Sequence, residues 1–221
     1  MPAAIGGAPQ SGRARRSQAD RTATSRVRLI EAAIRCLNRV GYSATTLSLI
    51  AAESGMSRGG MLHQFPTKVD LMLAVVAYPT SSEARVGARR RGAYKDKREE
   101  FIALTESSWR GHTTAPAMAK LEVLMAARSD PILAAKLPKM FEAIERDRRA
   151  SVWALAQEAG IRDRDAVDAM VGLHVAAMRG LAIELLVTTD KGRVLKQLEL
   201  LKKYKNWLVE DLLGERSTGR D

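Results

Sequence analysis

The sequence predicts an all-α protein in two parts. Beyond residue 20 nearly every segment repeats its apolar residues at helical spacing, no stretch of any length alternates as a strand does, and composition changes near Pro79. With 221 residues and 46% hydrophobic content, the chain can bury a core in one large domain or in a smaller and a larger one.

The opening stretch, "MPAAIGGAPQSGRARRSQAD", holds small residues, proline and arginine but no sustained apolar run. It reads as a disordered basic tail, not a secretion signal. "RVRLIEAAIRCLNRVG" follows, with Ile30, Ala33, Ile34 and Leu37 on one face and Gly41 as its stop. Thr45 is placed to cap a second helix carrying Leu47, Ile50 and Ala51, which Gly55 ends. Ser57 caps a short third helix running to about Phe65, and Pro66 breaks it. Thr67 caps a fourth, with Leu71, Val75 and Tyr78 in register. The run "PTSSEARVGARRRGAYKDKREE" then marks a boundary. The expected division is a tail over 1–20, a first domain over 21–78 and a second over 79–215.

The second part reads as long helices. Phe101, Leu104, Ser108 and Trp109 share one, and "APAMAKLEVLMAARSD" forms another. Asp130 and Pro131 restart the chain as cap and first helical residue. Leu133, Leu137, Met140, Phe141, Ile144, Val152 and Leu155 continue helically, and the charges from Glu145 to Arg149 suggest a bend or an exposed turn. Asp163 caps a helix that is apolar on most sides from Ala166 to Val187, and such a helix is expected to be buried all round. The last helix, from about Lys191 to Leu213, carries a narrower stripe of Val194, Leu198, Leu201, Leu208 and Leu212 before Gly214 closes it.

Charge narrows the function. The net charge is +11, and residues 1–78 hold ten basic and four acidic residues, so the basic surplus is densest in the first part. That balance favours a polyanionic partner, nucleic acid first and an anionic membrane second. The longest apolar stretch is interrupted by Asp168, His174, Arg179 and Glu184, which argues against a membrane span, and a cytoplasmic protein is expected. A single cysteine, Cys36, excludes an internal disulfide and reads as core. His63, His112 and His174 lack metal-ligand spacing, so neither a metal nor a cofactor is expected. No nucleophile with a base, and no phosphate loop, points to an enzyme.

"ESGMSRGGMLHQFPTK" is the informative segment. Two short helices joined by a glycine turn form a helix-turn-helix. Ile50 and Ala51 with Met61 and Phe65 fill the angle, leaving Arg58, Gly59, Leu62 and His63 outward. Gly59 and Gly60 each cost a helix roughly 1 kcal/mol against alanine. They make sense where a DNA phosphate or base edge approaches the backbone closely. Arg58 suits a guanine edge, and Lys68 with the free N–H groups of the fourth helix suits a phosphate. The same geometry occurs in ordinary helical proteins, so spacing alone leaves a helical interaction module or a membrane-surface protein open.

"RVRLIEAAIRCLNRVGYSATTLSLIAAESGMSRGGMLHQFPTKVDLMLAVV" resembles the N-terminal domain of the TetR family of bacterial transcriptional repressors. Gly41, Tyr42, Thr45, Thr46, Ile50, Ala51, Gly55, Met56, Ser57, Gly59, Met61, Phe65, Thr67, Lys68 and Leu71 carry the likeness. Leu62 stands where the family usually has a phosphate-touching tyrosine, and Gln64 where a histidine is common. That phosphate contact is either taken over by His63 or absent. The resemblance implies about nine helices and a homodimer built through the last two helices of each subunit. It implies a ligand-responsive repressor that grips a near-palindromic double-stranded DNA operator and is released by a small-molecule effector. Thr45, Thr46, Ser57, Arg58, Gly59, Gly60, Leu62, His63 and Lys68 are the expected DNA-binding set. Candidates for the effector site are bulky or polar residues among apolar ones: Trp109, Met118, Leu121, Glu122, Met125, Met140, Trp153, Met170, His174 and Met178. Glu122 and Glu184, if buried, would attract a cationic lipophile. A fatty-acid derivative, an aromatic compound or a drug fits the sequence equally.

Overall fold

Nine helices run through residues 18–79 and 94–215, the parts of the chain described by the computed structural model. They are α1 (Gln18–Ala44), α2 (Leu47–Ser54), α3 (Arg58–Gln64), α4 (Lys68–Ala77), α5 (Lys97–His112), α6 (Ala115–Ala126), α7 (Pro131–Glu158), α8 (Arg164–Val187) and α9 (Lys191–Leu212). The all-α expectation holds, with no strand among the described residues. Arg13 to Arg16, the basic centre of the expected tail, lie outside them.

Local chemistry sets the element ends. Gly41 breaks α1 with a left-handed φ of 72°. Gly55 closes α2 at φ 65°, and its N–H returns to the carbonyls of the last turn. Ser57, Thr67, Asp130 and Asp163 each accept a backbone N–H in the first turn of the helix they precede. The cap of α2 is Thr46, whose Oγ1 accepts from the Leu49 N–H at 3.1 Å. Thr45 was the expected cap, and here the structure corrects the sequence. Its side chain is fully buried and donates to the Gly41 carbonyl at 2.7 Å, bracing the kink instead. A second correction concerns α7, which runs without interruption past Glu145 to Arg149 and past Pro138. Its local charges pair within one turn, Arg148 donating to Glu145 at 2.6 Å.

One apolar cluster joins the two parts. Leu29, Ala33, Leu37, Ile50, Met61, Phe65, Leu71 and Val75 from the first four helices pack with Ala119 and Val123 of α6 and Leu133 and Leu137 of α7. Polar ties seal the seam. Tyr42 donates its hydroxyl to Asp130 at 2.5 Å and its backbone N–H to Glu122 at 3.3 Å, and Asn38 donates to the Ala115 carbonyl at 3.0 Å. Two further clusters fill the larger part, one around Phe101, Ile161 and Val167, the other around Trp109, Met178 and Val194.

α8 is covered by its own chain on one side only. By length and composition it is apolar enough to cross a membrane. Its inner side is buried, at Val167, Met170, Val171, His174, Val175, Met178 and Ala182. Its outer side is open: Leu173, Ala176, Gly180, Ile183 and Val187, spaced by three and four, all face outward, Leu173 66% and Val187 80% exposed. Leu200, Tyr204 and Trp207 on α9 are exposed as well. An all-round apolar helix is thus only half covered by its own chain.

Candidate nucleic-acid interface and internal cavities

α3 is short, and its orientation is fixed by one large side chain on each turn. Met61 and Phe65 are buried to within 1% and lock the inner face against Ile50 and Ala51. From α1, Arg26 reaches over: its guanidinium lies 4.1 Å from the centre of the Phe65 ring and donates to the Gln64 carbonyl at 3.0 Å. That contact closes the C-terminal end of α3 with a positive charge. The sequence reading missed Arg26, because nothing local links it to a helix 38 positions away. α2 is held to α1 by Glu53, which accepts from Arg35 at 2.7 Å and Arg39 at 3.0 Å.

The opposite face of α3 is uncovered. Ser57, Arg58, Gly59, Leu62 and His63 are exposed, and Gly60 is half-buried. Ser57 Oγ accepts from the Gly60 N–H at 3.1 Å, so its hydroxyl is occupied by capping. Thr46 is exposed at the head of α2. A methyl group added at Gly59 would meet no atom within 4 Å, whereas one at Gly60 would come within 3.2 Å of the Ser57 hydroxyl. Nothing inside the protein therefore requires glycine at position 59. Gly59→Ala is expected to raise stability by roughly 0.5–1 kcal/mol. If this face approaches a duplex, as the sequence predicts, the same change weakens DNA binding severalfold by adding a methyl to it. Urea melts and fluorescence anisotropy on one preparation check both halves; unchanged DNA affinity would remove the close-approach role.

Two expected contacts change meaning. Thr45 is buried and cannot touch DNA directly. Lys68 donates its ammonium to the Tyr42 carbonyl at 2.7 Å and sits 4.0 Å from the Tyr42 ring centre, with burial holding its pKa below the usual lysine value. Lys68 thus ties the end of α1 to the start of α4 with one of its three donors, and it stays half-exposed.

Residues 29–75 match the family model described as bacterial regulatory proteins, tetR family. The chain is 26% identical to the HTH-type transcriptional regulator CymR of Pseudomonas putida, over 81% of this chain and 88% of the relative. It is 30% identical to the HTH-type transcriptional repressor Rv1474c of Mycobacterium tuberculosis, over 51% of this chain and 56% of the relative. A TetR transcription regulator from Haloarcula marismortui shares the fold, with a TM-score of 0.61 at 17% identity over 84% of this chain and 98% of that one. Over residues 29–75, then, the chain is similar to the TetR family of bacterial regulatory proteins. Both of these curated relatives are HTH-type transcriptional regulators.

Behind the first four helices, the larger part of the chain contains two adjoining cavities. One, of about 140 Å³, lies between α5, α6, α7 and α8 and is lined by Ser108, His112, Lys120, Leu121, Arg148 and Arg179. The second, of about 80 Å³, is more apolar; Leu104, Val152, Met170, Val175 and Met178 line it, with Thr105, His174 and Lys205 among them. Ser108 and Arg148 line both. His174 is buried, the Met170 carbonyl accepting from its Nδ1 at 3.0 Å, and burial lowers its pKa.

Of the expected effector residues, Leu121, Met170, His174 and Met178 line these cavities. Trp109 and Met118 pack in the cluster around Val194, Trp153 packs in the cluster around Phe101 under the Arg164 guanidinium, and Met140 packs against the cluster shared with the DNA-binding helices. Glu122 and Met125 line an open groove beside Gly41 and Tyr42. Glu122 accepts from the Tyr42 N–H, and Glu184 accepts from Arg193 at 2.7 Å. Glu122 is exposed and Glu184 half-buried and ion-paired, so neither is the buried carboxylate that the cationic alternative called for. Missed were Lys120 and Lys205, only 8% and 3% exposed. A signal was present: Lys205 falls in register with Leu198, Leu201 and Val209, and Lys120 with Ala117 and Val123, all buried.

Proposed function

We propose that this protein is a ligand-responsive repressor that binds a near-palindromic operator as a dimer and releases it when a small molecule occupies the second domain. The observation that carries the reading is the split of α3, with Met61 and Phe65 buried and Arg58, Gly59, Leu62 and His63 left on an uncovered face. A helix held by its inner face alone is free to enter a major groove, and Arg58 at its first turn is the side chain suited to a guanine edge. Two such helices, one per subunit, reach half-sites about a helical turn or more apart.

The exposed stripes of α8 and α9 support the dimer. Leu173, Ile183 and Val187 with Leu200, Tyr204 and Trp207 offer two adjacent apolar helix faces, and pairing them with a second copy makes a four-helix bundle. Control passes through α6. That helix carries Lys120 at the cavity, Ala119 and Val123 in the core under α1, and Glu122 on the Tyr42 N–H. A ligand that shifts α6 or α7 pulls on Tyr42, and with it on the anchoring of α1 and α4.

Binding of duplexes from upstream of its own gene, measured by anisotropy at several salt concentrations with competitor DNA, tests the reading. Saturable, sequence-selective binding with steep salt dependence is expected. Arg58→Ala should relax discrimination by roughly 1–3 kcal/mol at one base pair per half-site. Binding that ignores sequence, or an Arg58→Ala protein that keeps its selectivity, would refute it.

A further inference from the structure

The 140 Å³ cavity is charged in a way that its own walls do not balance. Lys120, Arg148 and Arg179 bring three cations to it against one carboxylate, Glu145, which accepts from Arg148 at 2.6 Å and from Arg179 at 3.4 Å and attracts Lys120 without a direct contact. Lys120 is 92% shielded, has neither hydrogen bond nor ion pair among the described residues, and lies only 5.7 Å from the centre of the Phe141 ring, which Arg179 also faces at 5.4 Å. Burial first, then Arg148 and Arg179, bring the pKa of Lys120 down to about 8 against the weaker pull of Glu145. Burial likewise lowers the pKa of His112, whose Nδ1 donates to the Ser108 carbonyl at 2.8 Å, so His112 adds little charge near neutrality. A buried cation that no hydrogen bond or direct ion pair satisfies is expensive, and a protein that keeps one at a cavity wall gains most from a ligand that supplies the missing charge.

Beside this charged chamber lies the apolar one, reached past Ser108 and Arg148. Its Thr105 hydroxyl is 97% buried and unpartnered. The Lys205 amine is tied to the Phe101 carbonyl.

We infer that the effector is an amphipathic carboxylate, its anionic head held by Lys120, Arg148 and Arg179 and its apolar body seated against Met170, Val175 and Met178. The inference rests on the ligand-responsive reading and narrows it to one class of ligand. The small combined volume favours a body of aromatic-ring or medium-chain size over a long acyl chain.

Calorimetric titration of the full chain with benzoate, phenylacetate, hexanoate and octanoate, against octylamine and 1-octanol, tests it. At least one carboxylate should bind saturably at one per chain, more than about tenfold tighter than the amine or the alcohol. Lys120→Met, which replaces the cation with an apolar chain of similar length, should weaken that carboxylate more than about tenfold, and Lys120→Arg should restore most of it. The circular dichroism of each variant reports folding separately. The proposal is overturned if no carboxylate binds, if octylamine or octanol binds as tightly, or if Lys120→Met leaves carboxylate affinity unchanged. A parallel DNA-release assay separates the two readings. A carboxylate that binds through Lys120 without loosening DNA leaves the ligand class standing and defeats effector control. DNA release by octylamine alone does the reverse.

Discussion

Glutamate at Leu173 and Ile183 together is expected to turn the protein into a monomer that no longer holds its operator. Both side chains are exposed in the single chain, 66% and 49%, and both lie on the open stripe of α8. Neither belongs to a buried core cluster, so the fold should survive at low concentration with little change in melting temperature. In a two-fold dimer each substitution appears twice. Losing buried apolar anchors typically costs roughly 2 kcal/mol or more apiece, before any penalty for burying the new charges. Four altered sites therefore weaken association by more than about a thousandfold, since each 1.4 kcal/mol is a factor of ten. Sedimentation equilibrium would report the change in mass, and anisotropy on a two-half-site duplex the loss of tight binding. A variant that still sediments as a dimer would move the interface elsewhere.

Lys205→Met should stabilise the protein at neutral pH by roughly 2–3 kcal/mol and flatten its pH dependence. Lys205 is 3% exposed, and burial alone drives its pKa down to about 7. The ordinary value is 10.5, the one it regains when the chain unfolds. Between those values the unfolded chain holds more protons on this amine than the folded chain does. Stability therefore rises with pH from about 7 to about 10 at up to 1.4 kcal/mol per unit from this group. Below pH 7 the penalty is constant and at its largest. Methionine removes the penalty, at a cost of about 1 kcal/mol for the lost donation to the Phe101 carbonyl. Urea melts at pH 7, 8, 9 and 10 on both proteins would display it as converging curves. Parallel curves would mean that Lys205 is charged and satisfied in the fold.

Much of this architecture is legible in the chain because its signals are local. Ser57, Thr67, Asp130 and Asp163 cap the helices they precede, and Gly55 takes the left-handed turn that its position requires. The inner face of α3 is equally readable, since Met61 and Phe65 are its only large apolar residues besides Leu62. Thr45 and Thr46 show the limit: adjacent residues of one type compete for a cap, and the kink at Gly41 decides which is drawn inward. Helix α8 shows another. Apolar periodicity reports that a face will be covered, without saying whether the cover comes from the same chain. Lys120 and Lys205 were hidden for a third reason. A lysine among apolar residues is ordinarily read as reaching out to water along its stem, and only the neighbouring helices block that route here.

The cluster that binds Leu37, Met61 and Val75 to Ala119, Val123, Leu133 and Leu137 bears on protein engineering. A DNA-reading module cut after Tyr78 and grafted onto a foreign sensor would leave one wall of its interior wet. A working chimera has to bring α6 and the first turns of α7 with it, or rebuild their inward residues in the host. Swapping specificities among such regulators is therefore a matter of matching seams before matching sequences.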